Sequence, residues 1–129
     1  MKRLKLFAGV FLTIMFLSST LFAADKTPVK GELTMPENVK AIVEKSCFGC
    51  HNTDSKNEDA KEELDFKTFD SLSKIKKIGA YRHIAEVIEE GEMPPKKFLE
   101  RFPDRKLTDE EATILTEWVK KEATTLIEQ

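Results

Sequence analysis

Apolar residues recur at helical spacing in four stretches of the chain, and polar or proline-containing segments separate these stretches. The first stretch covers residues 37–46, where Val39, Ile42 and Val43 share one face of a helix. The last opens at residues 108–111, whose Thr-Asp-Glu-Glu sequence is a capping box. One face of the helix that follows collects six apolar residues: Ala112, Leu115, Trp118, Val119, Leu126 and Ile127. These two patterns predict the first and the last helix of a domain.

Two further helices are predicted between them. Apolar residues at three-residue spacing predict a helix of about 12 residues that ends near Gly79; they are Phe66, Phe69, Leu72, Ile75 and Ile78. A second set predicts a helix that stops at Gly91, namely Ala80, Ile84, Val87 and Ile88. Residues 52–63 and 98–105 are predicted to be a surface loop and irregular chain, and two prolines at 94–95 favour extended backbone. The predicted fold class is therefore all-α, with about four helices.

The N-terminus shows the pattern of an export signal. Residues 1–5 are basic, residues 6–17 are almost unbroken apolar, and residues 18–24 are mostly small. The apolar run is shorter than the roughly 20 residues of a membrane span, so residues 1–24 are predicted to be a signal peptide cleaved after Ala23 or Ala24. Left uncleaved, the segment would anchor the protein to a membrane. In both cases the rest of the chain is exported, and the predicted location is the periplasm.

The exported part is expected to be one small acidic domain. Residues 25–35 are predicted to be a flexible lead-in and residues 36–129 the folded domain. Residues 1–24 hold three basic residues and no acidic residue, so their removal takes the net charge from −2 to −5. This charge argues against nucleic acid as a partner and fits docking to a basic patch on another protein. Solvation of the surface alone would also explain it.

Residues 47–51 carry the candidate chemistry, Cys47-Phe48-Gly49-Cys50-His51. This is C-x-x-C-H, the attachment signature of a c-type haem. Two thiols at this spacing can each add to one vinyl group of a haem, and the next imidazole can serve as the proximal iron ligand. The motif predicts one covalent haem c, which would supply much of the core that so small a domain lacks.

Two other kinds of site also use a C-x-x-C sequence. A thioredoxin-like dithiol occurs in a βαβ context, and no strand-rich pattern is present here. A structural zinc site needs four ligands, and beyond the motif only His83 could contribute an imidazole. The dithiol remains the main alternative to haem attachment.

A haem bound at His51 has one further axial position, for which three residues are candidates. Met93 stands in a charged stretch directly before two prolines, and such a rigid segment could present a thioether with little loss of entropy. His83, on a predicted helix, would instead give bis-His ligation. Met35 lies close to the start of the first helix. An open position is the fourth alternative, and it would allow peroxide or small-gas chemistry, whereas His/Met ligation suits electron transfer.

Together these residues resemble the small haem-binding domain of exported bacterial proteins, a branch of the cytochrome c superfamily. The resemblance covers residues 36–122 and rests on C-x-x-C-H, Met-Pro-Pro at 93–95, Leu-Thr-Asp-Glu-Glu at 107–111, and Trp118. It implies haem c on Cys47 and Cys50, with His51 proximal and Met93 distal. It also implies a cytochrome c-like fold in which the first and last helices cross. Members of this branch often carry aromatic residues and prolines after the haem motif, whereas residues 52–59 here are polar and acidic.

We therefore expect a periplasmic monohaem cytochrome that passes single electrons between redox partner proteins and is not an enzyme. A peroxidase-like or gas-sensing haem protein is the first alternative, with Arg82 and His83 as the only candidates for a distal pair. A thiol redox protein is the second. For a haem protein, we expect the other ring nitrogen of His51 to bond a backbone carbonyl.

Overall fold

Residues 33–129 are described by a computed structural model, in which they form five α-helices and two 3-10 turns and no strand. The helices are α1 (Glu37–Ser46), α2 (Glu58–Glu63), α3 (Lys74–Glu89), α4 (Lys96–Arg101) and α5 (Asp109–Glu128), and the turns are Phe69–Ser71 and Pro103–Arg105. The all-α prediction is confirmed for this range. The predicted signal peptide and most of the predicted lead-in lie outside the described residues. No helix within residues 33–129 has the length and apolar character to cross a membrane.

The core lies where α5 packs along α3 and contacts α1. Its most buried side chains come from these helices and from the first 3-10 turn: Val39, Val43, Phe69, Leu115 and Val119. The Tyr81 ring of α3 lies between two partners, with ring centroids 4.9 Å from Phe69 and 5.6 Å from Trp118. Edge-to-face and tilted ring contacts of this kind add to the free energy of burial. This row of rings therefore joins α3 to the turn before it and to α5.

The first and last helices follow the sequence prediction. Helix α1 has the predicted bounds, and Thr108 and Glu111 form the predicted capping box of α5. Glu111 also accepts a hydrogen bond from Lys45 Nζ at 2.6 Å, and Arg105 donates to the Lys45 carbonyl at 2.9 Å. The bonds from Lys45 and from the Thr108 backbone hold the pKa of the Glu111 carboxyl below its usual value. These contacts join the C-terminal end of α1 to the start of α5.

The prediction of two separate helices between residues 66 and 91 is wrong. Phe69 belongs to a 3-10 turn and is fully buried, whereas Ile75, assigned to the same apolar stripe, is 83% exposed. Ser73 caps the next helix by accepting a hydrogen bond from Lys76 N, so α3 begins at Lys74 and continues through Gly79 to Glu89. The five apolar residues share no single helical face, because they are divided between the 3-10 turn with its flanking residues and the separate helix α3. Gly79 does not end the helix, because the hydrogen bonds of α3 continue across it.

The predicted loop and the predicted irregular segment both contain helix. Asn57 caps α2 by accepting a hydrogen bond from Ala60 N at 3.2 Å, and the acidic first turn suits the helix dipole. Residues 96–101 form α4, which begins directly after Pro95 in extended backbone. Gly91 has φ +69° and follows the C-cap of α3, as its predicted helix-ending role requires. The spacing of apolar residues did not predict these two short helices, because neither of them buries an apolar face of its own.

Substitution of Phe69 tests this correction. We expect Phe69→Ala to lower the free energy of unfolding by about 3–5 kcal/mol, because it leaves a cavity at a fully buried site. Ile75→Ala, at the exposed position of the same apparent stripe, should change it by less than about 0.5 kcal/mol. Urea unfolding of the purified protein measures both. Phe69→Leu extends the test if the alanine variant does not fold, and equal losses at Phe69 and Ile75 would contradict the structure.

Candidate functional site

The Cys-x-x-Cys-His segment forms a turn directly after α1. Cys47 N bonds the Val43 carbonyl at 2.9 Å, which continues the helical pattern for one more residue. Cys50 N and His51 N both donate to the Cys47 carbonyl at 3.1 Å. Both cysteines are free thiols and are partly buried. The turn thus brings the two thiols and the imidazole to one side of the chain.

The four predicted site residues line two adjoining cavities of about 340 Å³ and 140 Å³. Cys47, His51 and Met93 line both cavities, and Cys50 lines the smaller one. Three further residues are shared by the two cavities: Asn57, Ala60 and Ile88. The larger volume lies within the range of small-molecule and cofactor sites. Met93 follows the other three residues by 42 or more positions in the sequence, and the fold brings it to the same site.

The walls of the larger cavity are mainly apolar. Helices α3 and α5 and the segment after α2 supply them: Leu64, Phe66, Ile84, Val87, Leu115 and Trp118. Two acidic side chains of α2, Asp59 and Glu63, also line this cavity, and both are exposed. An apolar ring system would be buried against such walls while polar groups at its edge reach solvent.

His51 is oriented by two backbone carbonyl groups. Its Nδ1 lies 2.8 Å from the Ala60 carbonyl oxygen and 3.2 Å from that of Leu64. A carbonyl oxygen can only accept a hydrogen bond, so Nδ1 carries the proton and donates it. The lone pair of the neutral ring is then on Nε2, which is the atom free to bind a metal. The expected hydrogen bond from His51 to a backbone carbonyl is confirmed.

The residues that orient His51 were missed by the sequence reasoning. Ala60 lies in α2 and Leu64 is its C-cap, in the segment predicted to be a loop. Asn57 followed by acidic residues is a helix-start signal that could have revealed α2. The role of the carbonyl groups has no such signal, because every residue carries one.

Met93 reaches the cavities through the turn that ends α3. Glu92 N and Met93 N both donate to the Val87 carbonyl, at 2.8 Å and 3.2 Å, and Gly91 N donates to Ile88 at 3.1 Å. These bonds fold the chain back onto the last turn of α3. The Met93 side chain is 39% exposed and lines both cavities.

The other two candidates for the second axial position lie in different surroundings. His83 lines only the larger cavity of the two, and its Nδ1 is 3.5 Å from Glu86 Oε2. Met35 packs against the core and contributes to neither of these cavities. Arg82 lines a separate surface cleft and is not beside His83 at the larger cavity. Of the three candidates, Met93 and His83 thus line the site and Met35 does not.

The cavity environment raises the pKa of the Cys47 thiol to about 12. Burial disfavours the thiolate, and the neighbouring Cys50 raises the pKa further. At neutral pH Cys47 is therefore a protonated thiol.

Ser46 provides a polar atom without a partner. Its Oγ is shielded from solvent and makes no hydrogen bond to any of the residues that the structure describes. Ser46 lines the smaller cavity together with both cysteines. A buried hydroxyl without a partner costs about 1–3 kcal/mol. This orphaned hydroxyl, the two thiols, the free Nε2 of His51 and the apolar walls all fit a c-type haem.

Alanine substitutions at two glycines test the backbone conformation of the turn that carries Met93. We expect Gly91→Ala to lower the free energy of unfolding by about 1–2 kcal/mol, because φ +69° disfavours an L-residue. Gly79→Ala, in the interior of α3, should raise it by about 0.5–1 kcal/mol. An added Cβ meets no heavy atom within 4 Å at either position, so backbone conformation alone decides the sign. Denaturant unfolding measures both, and the same sign for both variants would argue against the Gly91 turn.

Comparison with known proteins shows the family of the chain. A family model described as a haem-binding domain matches residues 54–121, which is more than half of the chain. The matched range extends from just before α2 into α5 and includes Met93, and the C-x-x-C-H motif lies just before it. Searches of curated proteins and of solved structures found no match. The chain therefore belongs to the haem-binding domain family and is a haem-binding protein.

Proposed function

We propose that this protein is an exported monohaem c-type cytochrome that transfers single electrons. In this proposal thioether bonds from Cys47 and Cys50 hold the haem, and His51 and Met93 are its axial ligands. The observation that carries the proposal is that all four side chains line one pair of adjoining cavities, where His51 offers a free Nε2.

The protein groups around the site suit an electron carrier. When bound, the haem supplies an iron that accepts and releases one electron. The carbonyl groups of Ala60 and Leu64 hold the His51 ring in one orientation and one tautomer. The apolar walls would shield the ring system of the haem from water, and a thioether ligand such as that of Met93 would favour the reduced state. With His51 and Met93 both bound to the iron, no coordination position would be left for peroxide or gases.

The thiol redox alternative is disfavoured by the state of Cys47. A redox dithiol reacts through a thiolate, and such sites lower the pKa of the attacking thiol. Here burial raises the pKa of the Cys47 thiol to about 12.

Export to the periplasm and electron exchange with partner proteins complete the proposal. The basic, apolar and small-residue order of residues 1–24 supports export. Thioether attachment of haem in bacteria takes place on the exported side of the membrane, so the two features support each other.

Mass spectrometry of the exported protein tests covalent attachment. We expect the mature protein to be heavier than its polypeptide by one haem, with a mass that also gives the cleavage site near Ala23. A Cys47→Ser/Cys50→Ser variant should lose any haem that survives denaturation. Ser71→Ala, a control at an exposed serine that lines neither cavity, should keep the haem attached. An unmodified dithiol mass for the wild-type protein would overturn the proposal and support the thiol redox alternative.

The second axial ligand can be assigned from spectra of the oxidised protein. We expect a near-infrared sulfur-to-iron charge-transfer band in the wild type, its loss in Met93→Ala, and its retention in His83→Ala and Met35→Leu. The reduced Met93→Ala variant should bind carbon monoxide rapidly, whereas the wild type should not. If the wild type lacked this band and the spectrum of the oxidised protein changed in His83→Ala, the result would indicate bis-His ligation. Rapid carbon monoxide binding by the wild type would favour the peroxidase-like or gas-sensing alternative.

A further inference from the structure

Ser46 is the last residue of α1, and its hydroxyl has not taken the hydrogen bond usual for its position. A serine or threonine hydroxyl within a helix can donate to the carbonyl four residues earlier. Thr113 and Thr124 of α5 do so, at 2.8 Å and 2.9 Å. The Ser46 Oγ is shielded from solvent, yet it bonds neither the Ile42 carbonyl nor any other atom of residues 33–129. The hydroxyl therefore remains available at the smaller cavity, which Ser46 lines.

The smaller cavity offers no acceptor for this hydroxyl within the described chain. Its other polar side chains are engaged elsewhere, since His51 Nδ1 donates to two carbonyl groups and the Asn57 side-chain oxygen accepts from Ala60 N at 3.2 Å. The two thiols line the same cavity without bonding the hydroxyl. Beyond them and Met93, the wall consists of apolar side chains: Ala60, Ile88, Pro94, Pro95, Phe98 and Leu107. An acceptor for Ser46 must therefore come from the molecule that fills the cavity.

The proposed haem carries acceptors of the required kind. Once attached, it has two thioether sulfurs at the cysteines and two propionate carboxylates, and neither a thioether nor an ionised carboxylate has a hydrogen to donate. A hydroxyl is a donor that either group can use. Water would meet the need less well, because a buried water requires about 2–4 polar partners and this wall is mainly apolar.

We propose that the Ser46 hydroxyl donates a hydrogen bond to an acceptor of the attached haem and thereby raises its reduction potential. This inference rests on the proposed c-type haem, and it assigns a function to a residue outside the C-x-x-C-H motif. A bond to a thioether sulfur withdraws electron density from the porphyrin, and a bond to a propionate offsets its negative charge. Both effects make the Fe(III) form less stable relative to the Fe(II) form.

Three substitutions at Ser46 separate the hydroxyl from the volume of the side chain. Ser46→Ala removes the hydroxyl, Ser46→Thr keeps it, and Ser46→Val has the shape of the threonine variant without it. The threonine and valine variants keep the test intact if the alanine variant does not acquire haem. Ser71→Ala is the control, because Ser71 is exposed, lines neither cavity and donates its hydroxyl to the Thr68 carbonyl. All measurements use the exported protein with its haem attached.

Potentiometric titration of the haem measures the proposed effect. Ser46→Ala and Ser46→Val should each raise the ratio of oxidised to reduced protein about threefold at the midpoint potential of the wild type, because an interaction that favours Fe(II) is lost. For a one-electron couple, where a tenfold change is about 59 mV, this is a downward shift of roughly 30 mV. Ser46→Thr and Ser71→Ala should keep the wild-type potential.

Urea unfolding of the same haem-loaded proteins gives a second readout with a diagnostic sign. A buried hydroxyl that has a partner stabilises the fold, so Ser46→Ala should raise the equilibrium constant for unfolding about threefold. A hydroxyl that stayed unpaired would give the opposite sign, because its removal ends a desolvation penalty. The sign thus tells whether the attached haem satisfies the Ser46 hydroxyl.

Two further measurements identify the acceptor. A propionate takes up a proton as the pH falls, whereas a thioether does not. A difference in potential between the wild type and Ser46→Ala that stays constant with pH therefore assigns the sulfur, and one that shrinks as the pH falls assigns a propionate. A bond to sulfur should also shift the carbon–sulfur stretching bands in the resonance Raman spectrum of Ser46→Ala and not in that of Ser71→Ala. Either assignment supports a hydrogen bond to the haem.

Other outcomes count against Ser46. An unchanged potential in both Ser46→Ala and Ser46→Val would overturn its role while leaving the haem and electron transfer intact. A lower unfolding constant for Ser46→Ala, or a threonine variant that behaves like the valine variant, would do the same. A wild type without covalent haem would instead overturn the proposed function and this inference with it.

Discussion

The hydrogen bonds from His51 Nδ1 to the carbonyl oxygens of Ala60 and Leu64 are the interaction on which this site depends. They select the tautomer that leaves Nε2 free, and they hold the ring against the end of α2. Without the end of α2 the imidazole would lose both of the hydrogen-bond acceptors that orient it. The C-x-x-C-H turn and the acidic helix after it are thus one unit, although the sequence shows a motif followed by a polar stretch.

The remaining helices surround this unit with apolar walls. The row of rings through Tyr81 holds α3 against α5, and the last turn of α3 folds back through Gly91 so that Met93 lies at the same cavities. A small domain has little apolar surface to bury. Four buried core residues line the larger cavity, Phe66, Ile84, Leu115 and Trp118, so a bound haem would complete the packing as well as provide the chemistry.

Charge is distributed unevenly around the cavities. Two acidic side chains of α2, Asp59 and Glu63, line the larger cavity, whereas α4, beside the smaller cavity, carries three exposed cations and one exposed carboxylate: Lys96, Lys97, Arg101 and Glu100. A partner molecule responds to the charges within about one screening length of the contact, and not to the sum over the chain. The net charge of this protein is therefore a poor guide to the surface that would meet a partner.

The sequence by itself determined the features that depend on a few neighbouring residues. The C-x-x-C-H motif, the bounds of α1, the capping box of Thr108 and the helix end at Gly91 are all set by local geometry and short-range hydrogen bonds, and the structure contains each of them. Only the tertiary structure decided that α3 runs through Gly79, that α2 orients His51, and that Met93 and His83 reach the site whereas Met35 does not. These features depend on contacts between segments that are distant along the chain, and residue spacing carries no record of such contacts. Haem binding could thus be predicted from the motif, while the arrangement of the chain around it required the packed helices.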